Sequence, residues 1–109
     1  MRSMISQYEI HIVDLNPTIG AEMRKTRPAV VLSPDESNRH LSTVIVAPVT
    51  SKLHGYRFRV KFSTPNCAGE IALDHIRSVD KARLVRRVDK LDALAIRALK
   101  AALREYLVD

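Results

Sequence analysis

An arginine followed directly by a proline, Arg27-Pro28, opens the apolar run Ala29-Val30-Val31-Leu32, and no position in the chain is better placed for chemistry. The residue before a proline is pushed out of the helical region toward an extended backbone, so Arg27 projects from the start of a strand. A guanidinium there is a permanent cation on a rigid support, and its planar fork matches a phosphate through two parallel hydrogen bonds. The preceding residues form a charged loop containing Glu22, Arg24 and Lys25. A second polar group, Thr50-Ser51-Lys52, emerges where another apolar run ends. A pair of histidines would be a ready acid and base for a nuclease. Of the four present, His75 stands beside Asp74 and His11 lies within an alternating run. With one cysteine and no carboxylates at ligand spacing, neither a metal site nor a cofactor is expected.

The elements that must carry these groups are short. Pro28 and Pro34 bracket the run 29–32 and decide for a strand covered on both faces. Residues 9–15 alternate as a first strand, with Ile10, Ile12 and Asp14 on one side and His11, Val13 and Leu15 on the other. Residues 34–40 are polar, a loop with at most one helical turn. The β-branched stretch 43–50 is a further buried strand, with Pro48 marking a bulge or an edge. A turn around Gly55 leads into 57–62, where strict alternation predicts one core face and one wholly cationic face of Arg57, Arg59 and Lys61. Residues 63–69 read as a loop and 70–73 as a short strand delivering Asp74 and His75. An extended piece at 76–79, a turn capped by Asp80 and a strand at 85–88 follow. From Asp89 or Asp92 to Val108 the period becomes helical, with Leu91, Ala95, Ala98, Leu99, Ala102, Leu103 and Tyr106 along one side. The fold class is mainly β with α (α+β): a strongly bent sheet or half-open barrel of about six short strands, packed on a C-terminal amphipathic helix.

With 109 residues the chain is a single domain, spanning 1–109, that buries roughly two-thirds of its unfolded surface, enough for one core. The 18 Lys and Arg against 12 Asp and Glu give a net charge of +6, which favours polyanions or acidic proteins as partners. No apolar run is long enough to cross a bilayer, and the opening residues lack the apolar core of a signal peptide, so the expected compartment is the cytoplasm and no membrane partner is expected.

Five blocks in order resemble the MazF/PemK (Kid-like) toxins of bacterial toxin–antitoxin pairs: Val13-Asp14-Leu15-Asn16-Pro17-Thr18-Ile19-Gly20-Ala21-Glu22, Thr26-Arg27-Pro28-Ala29-Val30-Val31-Leu32-Ser33-Pro34, Val46-Ala47-Pro48-Val49-Thr50-Ser51, Gly55-Tyr56-Arg57-Phe58, and Leu73-Asp74-His75-Ile76-Arg77-Ser78-Val79-Asp80-Lys81-Ala82-Arg83-Leu84. The resemblance implies an SH3-like barrel, a homodimer, and a sequence-selective, metal-independent endoribonuclease that cuts single-stranded RNA and is neutralised by an acidic antitoxin. It also implies that Arg27 and Thr50 are the core catalytic pair. Glu22, matching an acidic residue of the family loop, is then a base or an organiser of Arg27, or else a surface partner of Arg24 or Lys25. The chain departs from the family at Gln7-Tyr8, at His11, where tryptophan is common, and at Ala72, where certain relatives carry a catalytic arginine.

Metal-free RNA cleavage needs a group to accept the 2′-hydroxyl proton, one to stabilise charge on phosphorus and one to protonate the leaving oxygen. Arg27 suits the second task. Arg24, Lys25, Ser51, Lys52, Arg57, Arg59, Lys61, Asp74, His75 and Arg77 are candidate RNA contacts, and Tyr56 can stack an unpaired base. The basic strand face serves equally to touch RNA or antitoxin, or to protect a sheet edge. The rival class is a non-enzymatic gyrase poison like CcdB, whose activity depends on a C-terminal tryptophan; this chain has none and ends Tyr106-Leu107-Val108-Asp109. A catalytically degenerate, antitoxin-binding relative is the third reading.

Overall fold

The computed structural model describes residues 4–15 and 26–109. Among these are seven strands: β1 Glu9–Asp14, β2 Thr26–Val31, β3 Thr43–Thr50, β4 Arg59–Thr64, β5 Cys67–Ala72, β6 Arg77–Asp80 and β7 Leu84–Lys90. Helix α1, Asp35–His40, joins β2 to β3, and α2, Ala93–Leu103, runs on into a π-type turn at Arg104–Val108. Every strand pair is antiparallel, in the order β4-β5-β3-β2-β1-β7, with β6 against the first half of β3. The expected curled half-barrel with a terminal helix is the fold.

β3 is its spine. One edge pairs with β2 through Ala29–Val31; the other pairs with β6 over Thr43–Val46 and then with β5 over Val49–Thr50. Pro48 cannot donate to a ladder, and it falls at that change of partner, which is how a central strand tolerates it. The sheet carries an apolar cluster on each face. Ile10, Val30, Ala47, Val49, Val60, Phe62 and Ile71 pack with Leu91 and Leu99 on the helix side, and Val13, Leu15, Ala29, Val31, Val44, Val46 and Val79 pack on the other. Consecutive residues 29–31 thus alternate between two cores, as an unbroken apolar run requires. Each fully buried leucine contributes about 1.5–3 kcal/mol.

α2 starts at the later of its two expected positions. The Asp92 side chain caps it, accepting from the Ala95 amide at 2.8 Å, while Asp89 is held in β7 with its carboxylate on the Asn66 amide at 3.2 Å.

Two expectations are corrected. Residues 35–40 form a helix of six residues, because Asn38 turns inward: its amide donates to the Ser33 carbonyl at 2.9 Å and its oxygen accepts from the Ser33 hydroxyl at 2.6 Å. Helix propensity does not reveal such a buried polar anchor. Residues 63–69 are not a loop, since β4 and β5 stay paired down to Thr64 and Cys67. The Thr64 hydroxyl closes that hairpin by accepting from the Cys67 amide at 3.1 Å and donating to its carbonyl at 3.0 Å. No helix among the described residues is long and apolar enough to cross a membrane.

Candidate active site

Register places the chemistry. Val13 pairs with Arg27, Thr50 with Glu70, and Glu70 with Lys61. The β2–β3 ladder runs from Val31 opposite Val46 to Ala29 opposite Pro48; Arg27 lies two residues beyond its end on β2, as Thr50 does on β3, and the Arg27 Nη1 reaches the Val49 carbonyl at 3.3 Å. Cross-strand neighbours share a face, with Cβ atoms about 4.5–5.5 Å apart. Arg27, Thr50, Glu70 and Lys61 therefore form one row across four strands, on the face turned away from α2.

Arg27 is only partly engaged. Its Nη1 donates to the Val49 carbonyl at 3.3 Å, while its Nε is buried and has no hydrogen-bond partner among the described residues. Thr50 is buried, and its hydroxyl oxygen accepts from the Lys52 amide at 3.2 Å. With a lone pair engaged, the hydroxyl proton is left to be donated. An open guanidinium N–H beside an open O–H is a donor pair, suited to an anion whose charge grows during reaction.

The connection from β3 to β4 leaves Thr50 and is exposed from Ser51 to Arg57. The buried carboxylate of Glu70, 2% exposed, fastens it: Oε2 accepts from the amides of His54 and Gly55, each at 2.9 Å. Burial pushes the Glu70 pKa up, but those two amides and the charges of His54 and Arg59 outweigh it and hold the pKa below the ordinary value. Gly55 takes a φ of +75°, open to glycine at little cost, and Gly69 lets β5 approach β3 so closely that a Cβ would strike the Thr50 carbonyl oxygen. Beyond the turn, rings stack in series: His54 on Tyr56 and Tyr56 on Phe58, both at 5.1 Å, then Phe58 against Tyr106 at 5.6 Å. Tyr56 is 48% exposed, so it still has surface to offer a base.

The wholly cationic face expected for 57–62 is corrected. Arg57 precedes β4 and leaves the row, its side chain 84% exposed and its Nη2 donating to Glu105 at 2.8 Å. Arg59 is neutralised: Nε and Nη2 grip Asp74 at 2.7 and 2.9 Å, and the pair's hydrogen bonds raise the arginine's pKa and lower the carboxylate's. Lys61 stands exposed opposite Glu70. Carboxylates from a neighbouring strand and the turn after it share this face, and local alternation cannot disclose them.

The remaining predicted residues fall around the row. Ser51 and Lys52 are exposed at its mouth. His75 lies with Nε2 3.5 Å from Asp74, and Arg77 is half-buried on β6 opposite Val46. Glu22, Arg24 and Lys25 lie outside the described residues. His11, opposite Ala29 on β1, bonds Glu9 at 2.9 Å. Glu70 and His54 were missed; a lone carboxylate in Gly-Glu-Ile-Ala-Leu was the available signal. Among the described residues no three His, Cys, Asp or Glu side chains converge on a metal position. A groove of about 770 Å³ opens elsewhere, lined by His40, Leu41, Lys81, Val85 and Arg86 among others, and none of the row's side chains reaches it.

A family model described as "PemK-like, MazF-like toxin of type II toxin-antitoxin system" matches residues 6–107. The chain is 30% identical over 95 residues to endoribonuclease EndoA of Bacillus subtilis, covering 82% of each. It is 32% identical to endoribonuclease MazF9 of Mycobacterium tuberculosis, covering 95% of this chain and 97% of the relative. Among solved structures it is similar to MazF from Deinococcus radiodurans, with a TM-score of 0.86, 27% identity and 97% and 98% coverage. The MazE–MazF complex of that organism matches with a TM-score of 0.82, 27% identity and 97% coverage of both chains.

Proposed function

The chain belongs to the PemK-like, MazF-like toxins of type II toxin–antitoxin systems, and from that premise we propose that it is a sequence-selective endoribonuclease cutting single-stranded RNA without a metal ion. The observation that supports this reading is the Arg27–Thr50 pair: a buried guanidinium N–H without a partner among the described residues, with the same guanidinium on the Val49 carbonyl next to Thr50, whose hydroxyl oxygen accepts from the Lys52 amide. Such a pair is built for a phosphate in a state more negative than its resting one.

In the reaction, the 2′-oxygen attacks the adjacent phosphorus, a P–O2′ bond forms, and the P–O5′ bond breaks. The products are a 2′,3′-cyclic phosphate and a 5′-hydroxyl. Arg27 stabilises the pentavalent phosphorus and protonates the leaving 5′-oxygen, regaining its proton from water; Thr50 holds a non-bridging oxygen. The 2′-hydroxyl proton passes to Glu22, or to water where Glu22 instead organises Arg27. Single-stranded substrate follows from the geometry of in-line attack and from Tyr56, whose exposed ring takes an unpaired base. Ser51, Lys52 and Lys61 line the approach with donors and positive charge.

Two protein partners complete the reading, an acidic antitoxin and a second copy of the chain, acting in the cytoplasm. The net charge of +6 supports the first, as does the solved MazE–MazF assembly of the similar Deinococcus protein. The groove beside β7, where Leu41 and Val85 stand exposed among basic residues, supports a protein contact there.

The test is incubation of the purified protein with a long single-stranded RNA in EDTA, followed by mapping of the cut ends. Cuts at a short recurring sequence that leave a 2′,3′-cyclic phosphate and disappear in Arg27→Ala are expected. Intact RNA, or equal cutting by both proteins, overturns the assignment.

A further inference from the structure

Glu70 has no part in the reaction just described, yet it is buried beside Thr50 in the row of functional side chains. A carboxylate in that position must be satisfied, and what satisfies it is the connection that follows Thr50. Its Oε2 takes the amides of His54 and Gly55. Its Oε1 is buried with no hydrogen-bond partner among the described residues, 3.8 Å from the His54 Nδ1. Residues 51–57 are exposed, and beyond the stacked rings of His54 and Tyr56 the turn is held by hydrogen bonds.

Two more features point the same way. At its start the turn is tied to Thr50 itself, the Lys52 amide donating to the Thr50 hydroxyl oxygen at 3.2 Å. Gly69, next to Glu70, brings β5 directly against the Thr50 carbonyl at the end of β3.

We propose that Glu70 is a positioning residue: by clamping the amides of His54 and Gly55 it holds the 51–56 turn against Thr50 and thereby fixes the direction in which the Thr50 hydroxyl meets a substrate phosphate. The proposal rests on the ribonuclease reading for its effect on rate, and on the clamp alone for its effect on the turn. An apolar side chain would fill this strand position with no desolvation cost, so stability of β5 does not account for a carboxylate there.

The test uses the full chain with Glu70→Leu, which keeps volume and burial, and Glu70→Gln, whose amide oxygen can still accept both N–H groups. Hydrogen exchange is followed at residues 51–56, and steady-state cleavage is measured on a short single-stranded RNA carrying a mapped cut sequence. In Glu70→Leu the amides of His54 and Gly55 should exchange at least about tenfold faster, with β3 and β5 still protected. The kcat should fall about tenfold to a hundredfold with KM changed less than about threefold, as expected for a misplaced group rather than lost binding. Glu70→Gln should recover most of both. Wild-type kcat and wild-type exchange in Glu70→Leu overturn the proposal, and so does a Glu70→Gln as impaired as Glu70→Leu. If the unaltered chain leaves RNA intact, the ribonuclease reading falls, and the exchange comparison decides the clamp by itself: unchanged protection in Glu70→Leu rejects it.

Discussion

Arg27 and Arg59 stand on the same face of one sheet, with β3 and β5 between their strands, and they are treated in opposite ways. Arg59 is fully occupied. Two nitrogens of its fork hold Asp74, the third lies 3.4 Å from the His54 ring nitrogen, and the guanidinium sits over Tyr56 and Phe58 at 5.7 and 5.9 Å. Its side chain is only 9% exposed. Among the described residues Arg27 has one long bond to a carbonyl and one buried nitrogen with no partner. Leaving a buried donor unmade costs about 1–3 kcal/mol. The difference teaches where to look for function: a saturated arginine fastens a fold, and an unsaturated one is poised for a ligand.

Substitutions at the two positions test the contrast. Arg27→Ala should lower RNA cleavage about a hundred- to a thousandfold, the usual loss for one transition-state donor, while thermal melting shows stability unchanged or slightly raised. Parallel losses of activity and stability would erase the distinction. Thr50→Val, which keeps shape and removes the hydroxyl, should cost cleavage on the order of a hundredfold, and Thr50→Ser should restore most of it.

Arg59→Ala is expected to do the reverse of Arg27→Ala. Urea titration should show a loss of about 1–2 kcal/mol, because Asp74 loses its partner and two rings lose their cover, with cleavage falling less than about tenfold. The smallest effect is in pH. Asp74 is held below its ordinary value of 3.8 by the hydrogen bonds from Arg59, so its contribution is fully present above that value and is lost as pH falls through the lower folded value. At most about 1 kcal/mol of stability should disappear in acid from this pair, and Arg59→Ala should lack that component of the acid dependence.

Much of this arrangement was legible in the chain. Arg27 before a proline, the apolar runs 29–32 and 43–50, and the Ala- and Leu-rich final helix each carry a local signal, because backbone restriction and periodic burial act over a few residues. Local signals failed where distant residues decide. Asn38 makes a helix of a polar stretch through Ser33, and Thr64 closes a hairpin that resembles a loop. The cationic face dissolved because Asp74, fifteen residues from Arg59, folds back onto it. Glu70 looked like one more strand residue until register set it beside Thr50 and beneath the 51–56 turn.

By itself, then, the sequence determined most of the elements and the strand buried on both faces, and it put forward the groups proposed to act on a phosphate, since each of these depends on side-chain type and short-range spacing. Only the tertiary structure decided which of those groups are spent on one another and which remain open. Charge pairing and hydrogen-bond satisfaction are settled between strands, at separations along the chain that no local pattern records, and that is why Arg59 is closed and Arg27 is not.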